Sequence, residues 1–206
     1  MISVMLKRSL ATGLLFAMTA ITGCSTVDQS IMLRYSSAAP APVSHSGEIV
    51  ITRTDPQQTR KATGDWVVGS FNNVYGVRQA DVISGKGIAD WISEALLLEL
   101  KQAGYTARMV PALPKDARYG IHLSEINAFL NVNKGTVSSD TKHELKFNVD
   151  LFLNGTRVKS FTVASRDKQT VPLSISQEKM EQIMLKSLQD AMQQLMPEIT
   201  ALTARK

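Results

Sequence analysis

The chain has one cysteine, three histidines and few aromatic residues, 6% of 206 positions. A single cysteine excludes any intrachain disulfide framework. The histidines, His45, His122 and His143, show no metal-binding spacing such as H-E-x-x-H, so no metal site is expected. No G-x-S-x-G elbow, phosphate loop or dinucleotide fingerprint occurs, which leaves a catalytic role without support. No apolar run approaches the twenty or so residues that a membrane-crossing helix takes. The charge is scattered: removing Lys7 and Arg8 with the leading segment takes the formal +5 to +3. A nucleic-acid reader would gather its cations on one face, so no nucleic-acid partner is expected.

The start of the chain is organised differently. Lys7 and Arg8 precede the apolar run Ser9–Ala20, and Ile21, Thr22 and Gly23 lead into Cys24. A basic head, an apolar stretch of about a dozen residues and small residues before a cut describe an export signal. Ile21-Thr22-Gly23-Cys24 resembles the lipobox of bacterial prolipoproteins. That resemblance implies cleavage before Cys24, a diacylglycerol on its sulfur and an acyl chain on the new amine, with no other cofactor. One fatty chain holds a protein only reversibly, whereas two or three give stable anchoring. Ser25 follows the cysteine where an aspartate tends to retain a lipoprotein in the inner membrane. The expectation is a protein lipid-anchored on the outer membrane and facing the periplasm.

Three regions result: a signal peptide over 1–23, an anchored segment over 24–47, and a globular domain over 48–206. In the second, Ile31, Leu33 and Tyr35 alternate as a short strand would, before a Ser/Ala/Pro-rich loop at Ser36–Gly47; a flexible tether is the competing reading. Strands are expected at Glu48–Arg53 and Trp66–Phe71, with loop over 72–86. Gly87–Ala103 has the period of a helix, Ile88, Trp91, Ile92, Ala95 and Leu98 sharing a face and Gly104 placed for a left-handed cap. Glu99 falls on that apolar face, either as a functional carboxylate or as a side chain overhanging the sheet edge.

Farther on, a strand at Thr106–Val110 precedes a proline-bracketed turn. Tyr119, Ile121 and Leu123 alternate, and Ile126, Ala128, Leu130 and Val132 resume one residue out of phase. A slip of that kind predicts a bulge near Ser124–Glu125. Leu145 to Leu153 form an unbroken period-2 row ending in Asn154-Gly155, a hairpin turn pair. Pairing outward from that turn would send Phe161 and Val163 to the polar face. Burying Phe161 is worth about 1.5–3 kcal/mol, against a ladder bond of about 1 kcal/mol. The second strand should therefore slip, through a bulge around Lys159–Ser160 or a three-residue loop, so that Phe147, Val149, Phe161 and Val163 share one face.

The closing helix should begin near Ser176, with Ser174 as a rival N-cap partnered by Gln177, and Pro197 should kink or end it. Met180, Met184, Met192 and Met196 fall in its apolar arc, as core or as the wall of an adaptable groove for lipid. The whole reads as a single α+β domain: a mixed or mostly antiparallel sheet with two long helices on one face. With Cys24, Ile31-x-Leu33-x-Tyr35, a strand entering Arg53–Asp55, Leu100-x-x-x-Gly104-Tyr105 and the final helix in place, the chain resembles the YajG-type small envelope lipoproteins. More distantly it is similar to auxiliary lipoproteins of envelope lipid-transport systems. The resemblance implies a setting without an assigned chemistry. The favoured role is a non-enzymatic binding or assembly module for another envelope protein; the alternative is a lipid or cell-wall ligand binder using the Met-lined groove.

The anchor is directly testable. Cys24→Ala should abolish labelling by palmitate analogues and leave an unprocessed precursor or a soluble product, read by carbonate washing and immunoblotting.

Overall fold

β6, Tyr119–Lys134, is bonded to three other strands, more than any other strand of the sheet. The computed structural model describes residues 27–38, 46–172 and 175–204. On one edge β6 pairs antiparallel with β7, Ser138–Leu153, which pairs with β8, Thr156–Pro172. The other edge is shared. Its first half takes β2, Glu48–Arg53, in parallel, with Ile51 beside Ile121. Its second half takes β3, Trp66–Asn72, also in parallel, with Phe71 beside Val132. β4, Arg78–Ser84, extends the sheet from β3, and the two-residue β1, Gln29–Ser30, extends it from β4. β5, Thr106–Met109, lies outside β2. The described residues form a single α+β domain, with an eight-stranded mixed sheet and, among them, two helices, α1 at Ile88–Gln102 and α2 at Gln177–Thr203.

The phase slip in β6 is a bulge. Register jumps between Ser124–Asn148 and Asn127–Lys146, and Glu125 takes a left-handed φ of 49°. The extra residue returns Ile126, Ala128, Leu130 and Val132 to the face that Ile121 and Leu123 occupy, and all six are buried. The β7–β8 hairpin also slips as expected. Asn154 and Gly155 turn through φ of 50° and 74°, Leu153 pairs with Thr156, and Val149 then meets Phe161 and Phe147 meets Val163. The bulge falls at Val158, one position before the expected Lys159–Ser160, and leaves that valine 38% exposed.

α1 buries a stripe through Ile88, Trp91, Ile92, Ala95, Leu96, Glu99 and Leu100, leaving Leu98 at the margin. It ends in a Schellman arrangement: Gly104, at φ 92°, donates to the Lys101 carbonyl at 3.1 Å, and Tyr105 donates to that of Leu100 at 3.0 Å. Ser176 caps α2 through its hydroxyl, which accepts from Lys179 N at 3.2 Å; Ser174 lies outside the described residues. Pro197 does not end α2, which continues to Thr203. The carbonyl it deprives of a partner is that of Gln193, an exposed residue, so water can replace the lost bond. Among the described residues no helix is long and apolar enough to cross a membrane.

Two expectations need correction. Residues 72–86 are not all loop: β4 occupies Arg78–Ser84, its core face carried by Ala80, Val82 and the polar Ser84. The alternation at Ile31, Leu33 and Tyr35 reflects burial without a strand, since regular pairing stops after Ser30 and the Ile31 N–H to Ile83 carbonyl bond of 2.9 Å. Nor are residues 31–36 a tether. They strap across both helices, with Trp91 Nε1 donating to the Arg34 carbonyl at 3.0 Å, Met32 N to Glu181 at 2.8 Å and Gln189 Nε2 to the Ser36 carbonyl at 2.8 Å.

Phe147 is fully buried at the centre of this sheet. Phe147→Ala should cost about 3–5 kcal/mol, read as a lowered midpoint in urea with little change in slope.

Candidate functional site

The residues expected to carry the anchor, Ile21, Thr22, Gly23, Cys24 and Ser25, lie outside the described residues, as does His45. The remaining sequence candidates can be placed. Met180, Met184 and Met192 are buried in the core and Met196 packs against it partly buried, so the groove expected between α2 and the sheet is filled by these side chains themselves. Glu99 neither overhangs an edge nor lines a cleft. It is buried and accepts the Tyr35 hydroxyl, a bond that pins the N-terminal strap to α1. Burial, and then that bond to Glu99, hold the Tyr35 phenol well above its ordinary range.

The two described histidines do not meet. His122 stands on the polar face of β6, its Nδ1 2.9 Å from Thr52 Oγ1 and its Nε2 3.3 Å from Thr54 Oγ1. His143 stands on the opposite, core face of β7, beside Leu130 and Asp167 in the ladders. Among the described residues no group of three or more His, Cys, Asp or Glu could hold a metal ion.

His143 belongs to a feature that the sequence reading missed. The buried row of β7 continues back from Leu145 through His143, Thr141 and Ser139, all at or near zero exposure. Neither ring nitrogen of His143 has a hydrogen-bond partner, nor does the Thr141 hydroxyl. Burial pulls the His143 pKa down to about 4, with Asp167 and Glu144 opposing it. Lys186 on α2 reaches Asp167 at 3.8 Å, so the nearest carboxylate is shared with a cation. The period-2 phase of Leu145–Leu153, extended three steps back, would have indicated this row.

Open concavities lie elsewhere, one over β6–β8 around Asn127, Lys146 and Arg166, and a second at the end of the sheet where β6 begins. A cleft of about 360 Å³ is lined by Glu48, Val50, Arg108, Asp116, Arg118 and Tyr119. β2, β5 and the loop ahead of β6 supply these residues, and that loop lies so close that a Cβ on Gly120 would meet Leu113 at 2.5 Å. Glu48 and Arg108 pair across the β2–β5 ladder at 2.7 Å. Arg118 has no ion pair among the described residues; its guanidinium lies over the Tyr119 ring, 5.1 Å from the centroid. The Tyr119 hydroxyl donates to the Thr203 carbonyl at 3.3 Å, tying the cleft floor to the end of α2. No nucleophile with an adjacent base lines the cleft. It offers instead an exposed cation, a paired charge and an aromatic ring, the groups that recognise a charged or amphipathic ligand.

The fold and these groups define a class: a small α+β domain with helices over one face of a mixed sheet and a mixed-charge cleft at one end. The chain belongs to the family described as uncharacterized lipoprotein, whose model matches residues 58–201, and is accordingly a membrane-anchored envelope protein. The fold is similar to that of a protein from Xanthomonas campestris, 12% identical, with a TM-score of 0.50 over 86% of this chain and 96% of that one. It is also similar to a minor lipoprotein from Acinetobacter baumannii, 14% identical, TM-score 0.43, over 65% and 90%. A third likeness is to rare lipoprotein B from Shewanella oneidensis, 13% identical, TM-score 0.36, over 65% and 97%. No curated protein matches the chain, and no enzymatic family is indicated.

The buried histidine sets a pH dependence. The fold requires neutral His143, whereas the unfolded chain protonates it near pH 6.5, so stability is full above that value and declines as pH falls toward 4. The loss should reach about 3 kcal/mol below pH 4. Urea unfolding across pH 7 to 4 should show the decline, and His143→Leu should remove its steepest part.

Proposed function

We propose that this protein is a non-enzymatic module, lipid-anchored through Cys24 on the periplasmic side of the outer membrane, that binds another envelope protein at the cleft formed by β2, β5 and the start of β6. The observation that carries the reading is Arg118: exposed, without an ion pair among the described residues, and laid over Tyr119 beside the Glu48–Arg108 pair. Arginine and tyrosine are the residues that dominate protein interfaces, because each combines a large flat contact area with directed hydrogen bonding. The volume of about 360 Å³ admits one or two side chains of a partner and is small for a folded element. Binding would thus be by insertion of a polar or charged segment, with Arg118 and Asp116 supplying the charges that have no ion pair among the described residues.

The placement rests on the lipobox-like Ile21–Cys24 and on Ser25 in place of an aspartate. Lipid binding in a Met-lined groove is not proposed, because Met180, Met184 and Met192 are core residues.

A photo-crosslinking residue at Ala117, on the cleft rim, should yield one discrete adduct in cells, its partner identified by mass spectrometry. The same probe at Thr162, on the exposed polar face of β8, should not. Arg118→Glu should remove the adduct while leaving the unfolding free energy within about 0.5 kcal/mol of the parent, as surface substitutions do. Equal adducts at both positions, or an adduct indifferent to Arg118→Glu, would count against the cleft.

A further inference from the structure

The end of the sheet opposite the cleft carries the exposed hydrocarbon. Seven large apolar side chains are exposed among the described residues, and five of them, Val27, Val74, Tyr75, Val77 and Val137, belong to this end. The register accounts for their convergence. β3 runs parallel to β6 with Asn72 beside Asn133, so the β3–β4 turn and the β6–β7 turn project from one edge of the molecule. Asn72 Nδ2 donates to Asn133 Oδ1 at 2.9 Å and holds the two turns side by side. β1 runs parallel to β4, Gln29 beside Val82, so the chain traced back from Gln29 heads along β4 toward the β3–β4 turn.

Isolated apolar side chains on a surface need no explanation, but here the exposure is built in. Asn73 Oδ1 accepts the N–H groups of Tyr75 and Val77, both at 3.0 Å, and Gly76 at φ 76° closes the turn by donating to the Asn73 carbonyl at 2.9 Å. The turn therefore presents Val74, Tyr75 and Val77 at 56%, 86% and 57% exposure without freedom to fold them inward. Val137, 79% exposed, stands on the neighbouring turn, and Lys134 beside it lies over the Phe71 ring at 5.3 Å. Asp28 is fixed at this level of the sheet, accepting the Asp81 N–H at 2.9 Å and pairing with Lys61 at 3.1 Å. Val27, 75% exposed, comes immediately before it.

Three peptide units separate Val27 from Cys24, a reach of about 11 Å at most. By count, the path from Gln29 back to Cys24 equals that from Val82 back to Val77, five residues each. The attachment point of the acyl chains is thus within about 11 Å of Val27.

We propose that this end of the sheet is a membrane-contact surface, with Val74, Tyr75, Val77 and Val137 seated in the headgroup layer of the leaflet that holds the Cys24 lipid. The proposal rests on the anchor reading above. Tyrosine favours that layer because its ring is apolar and its hydroxyl wet. Lys134 flanks the turns as a cation for phosphate groups, while the acids at this end, Asp28, Asp81 and Asp140, are paired with Lys61, Arg78 and Lys168. The surface fixes the orientation of the domain: β6 spans about 50 Å at the usual rise per residue, so the cleft stands that far from the bilayer.

The test uses the acylated mature protein carrying Tyr75→Cys or Lys115→Cys, the latter beside the cleft. Acylation blocks Cys24, so each variant offers one thiol for a nitrobenzoxadiazole probe. In vesicles of phosphatidylethanolamine and phosphatidylglycerol, the probe at position 75 should shift to the blue, be quenched by doxyl-labelled lipid and resist aqueous iodide. The probe at position 115 should do none of these. Iodide quenching at 75 equal to that at 115 overturns the contact surface. So does shielding from iodide without quenching by labelled lipid, which would point to a protein covering the turns. Intact mass read on the same sample separates the two readings: absence of the acyl mass refutes the anchor and with it this proposal, whereas its presence with an iodide-accessible probe at 75 refutes the proposal alone.

Discussion

A strand has two faces and a period of two, and β6 must keep one face against the helices over sixteen residues while three other strands bond to its edges. A regular strand of that length twists, and its neighbours β2 and β3 approach from positions that one continuous partner could not occupy. The left-handed residue at Glu125 resolves the conflict. It gives the strand one extra residue, so Leu123 and Ile126 both face the core, and it marks the interval between the β2-paired and β3-paired halves. β7 keeps its own alternation unbroken opposite this bulge, which is why a single helix, α2, can lie along β7 and β8. The cleft and the apolar turns sit at the two ends of the strand thus organised.

Much of this was legible because the hydrophobic period records which face is buried. The slip between Leu123 and Ile126, the unbroken row ending at Asn154-Gly155 and the competition for Phe161 each leave a trace in the order of apolar residues. β4 left almost none. Arg78, Gln79 and Asp81 are polar, the inward row is the short Ala80, Val82 and polar Ser84, and its pairing with β3 is itself bulged, so tertiary context and not pattern makes it a strand. The strap at Ile31–Tyr35 shows the converse. Alternation reported burial correctly while the backbone found its partners in side chains of both helices. Glu99 was ambiguous for a related reason: its partner, Tyr35, lies 64 residues away. The cleft gathers Glu48, Arg108 and Arg118 from three segments, none of which has a recognisable spacing, and so was invisible before folding.

The polar stretch of the β7 row gives the core two unequal halves. Toward the cleft the buried row of β7 is Leu151, Val149 and Phe147; toward the other end it is His143, Thr141 and Ser139. Hydrocarbon buried there gains its usual stabilisation only from the helix side, and the unpartnered imidazole and hydroxyl add a desolvation cost. The Ser176 cap and the bonds from Met32 and Gln189 counter this at the same helix, which places the N-terminal strap where the packing beneath it contributes least.

The parallel pairing of β1 with β4 also determines how the domain bears mechanical load. Tension from a fixed point beyond Val27 would act along the axis of β1. Pulled in that direction, the Asp28–Asp81, Gln29–Val82 and Ile31–Ile83 contacts are sheared together and share the force; peeling would break them one after another. Behind them, Ile31 and Leu33 would have to be drawn out of the core, and Tyr35 away from Glu99, before the rest of the sheet felt the strain. A two-residue strand is thermodynamically slight, but in this geometry it acts as the first link of a clasp that resists being pulled off from the end at which it is held.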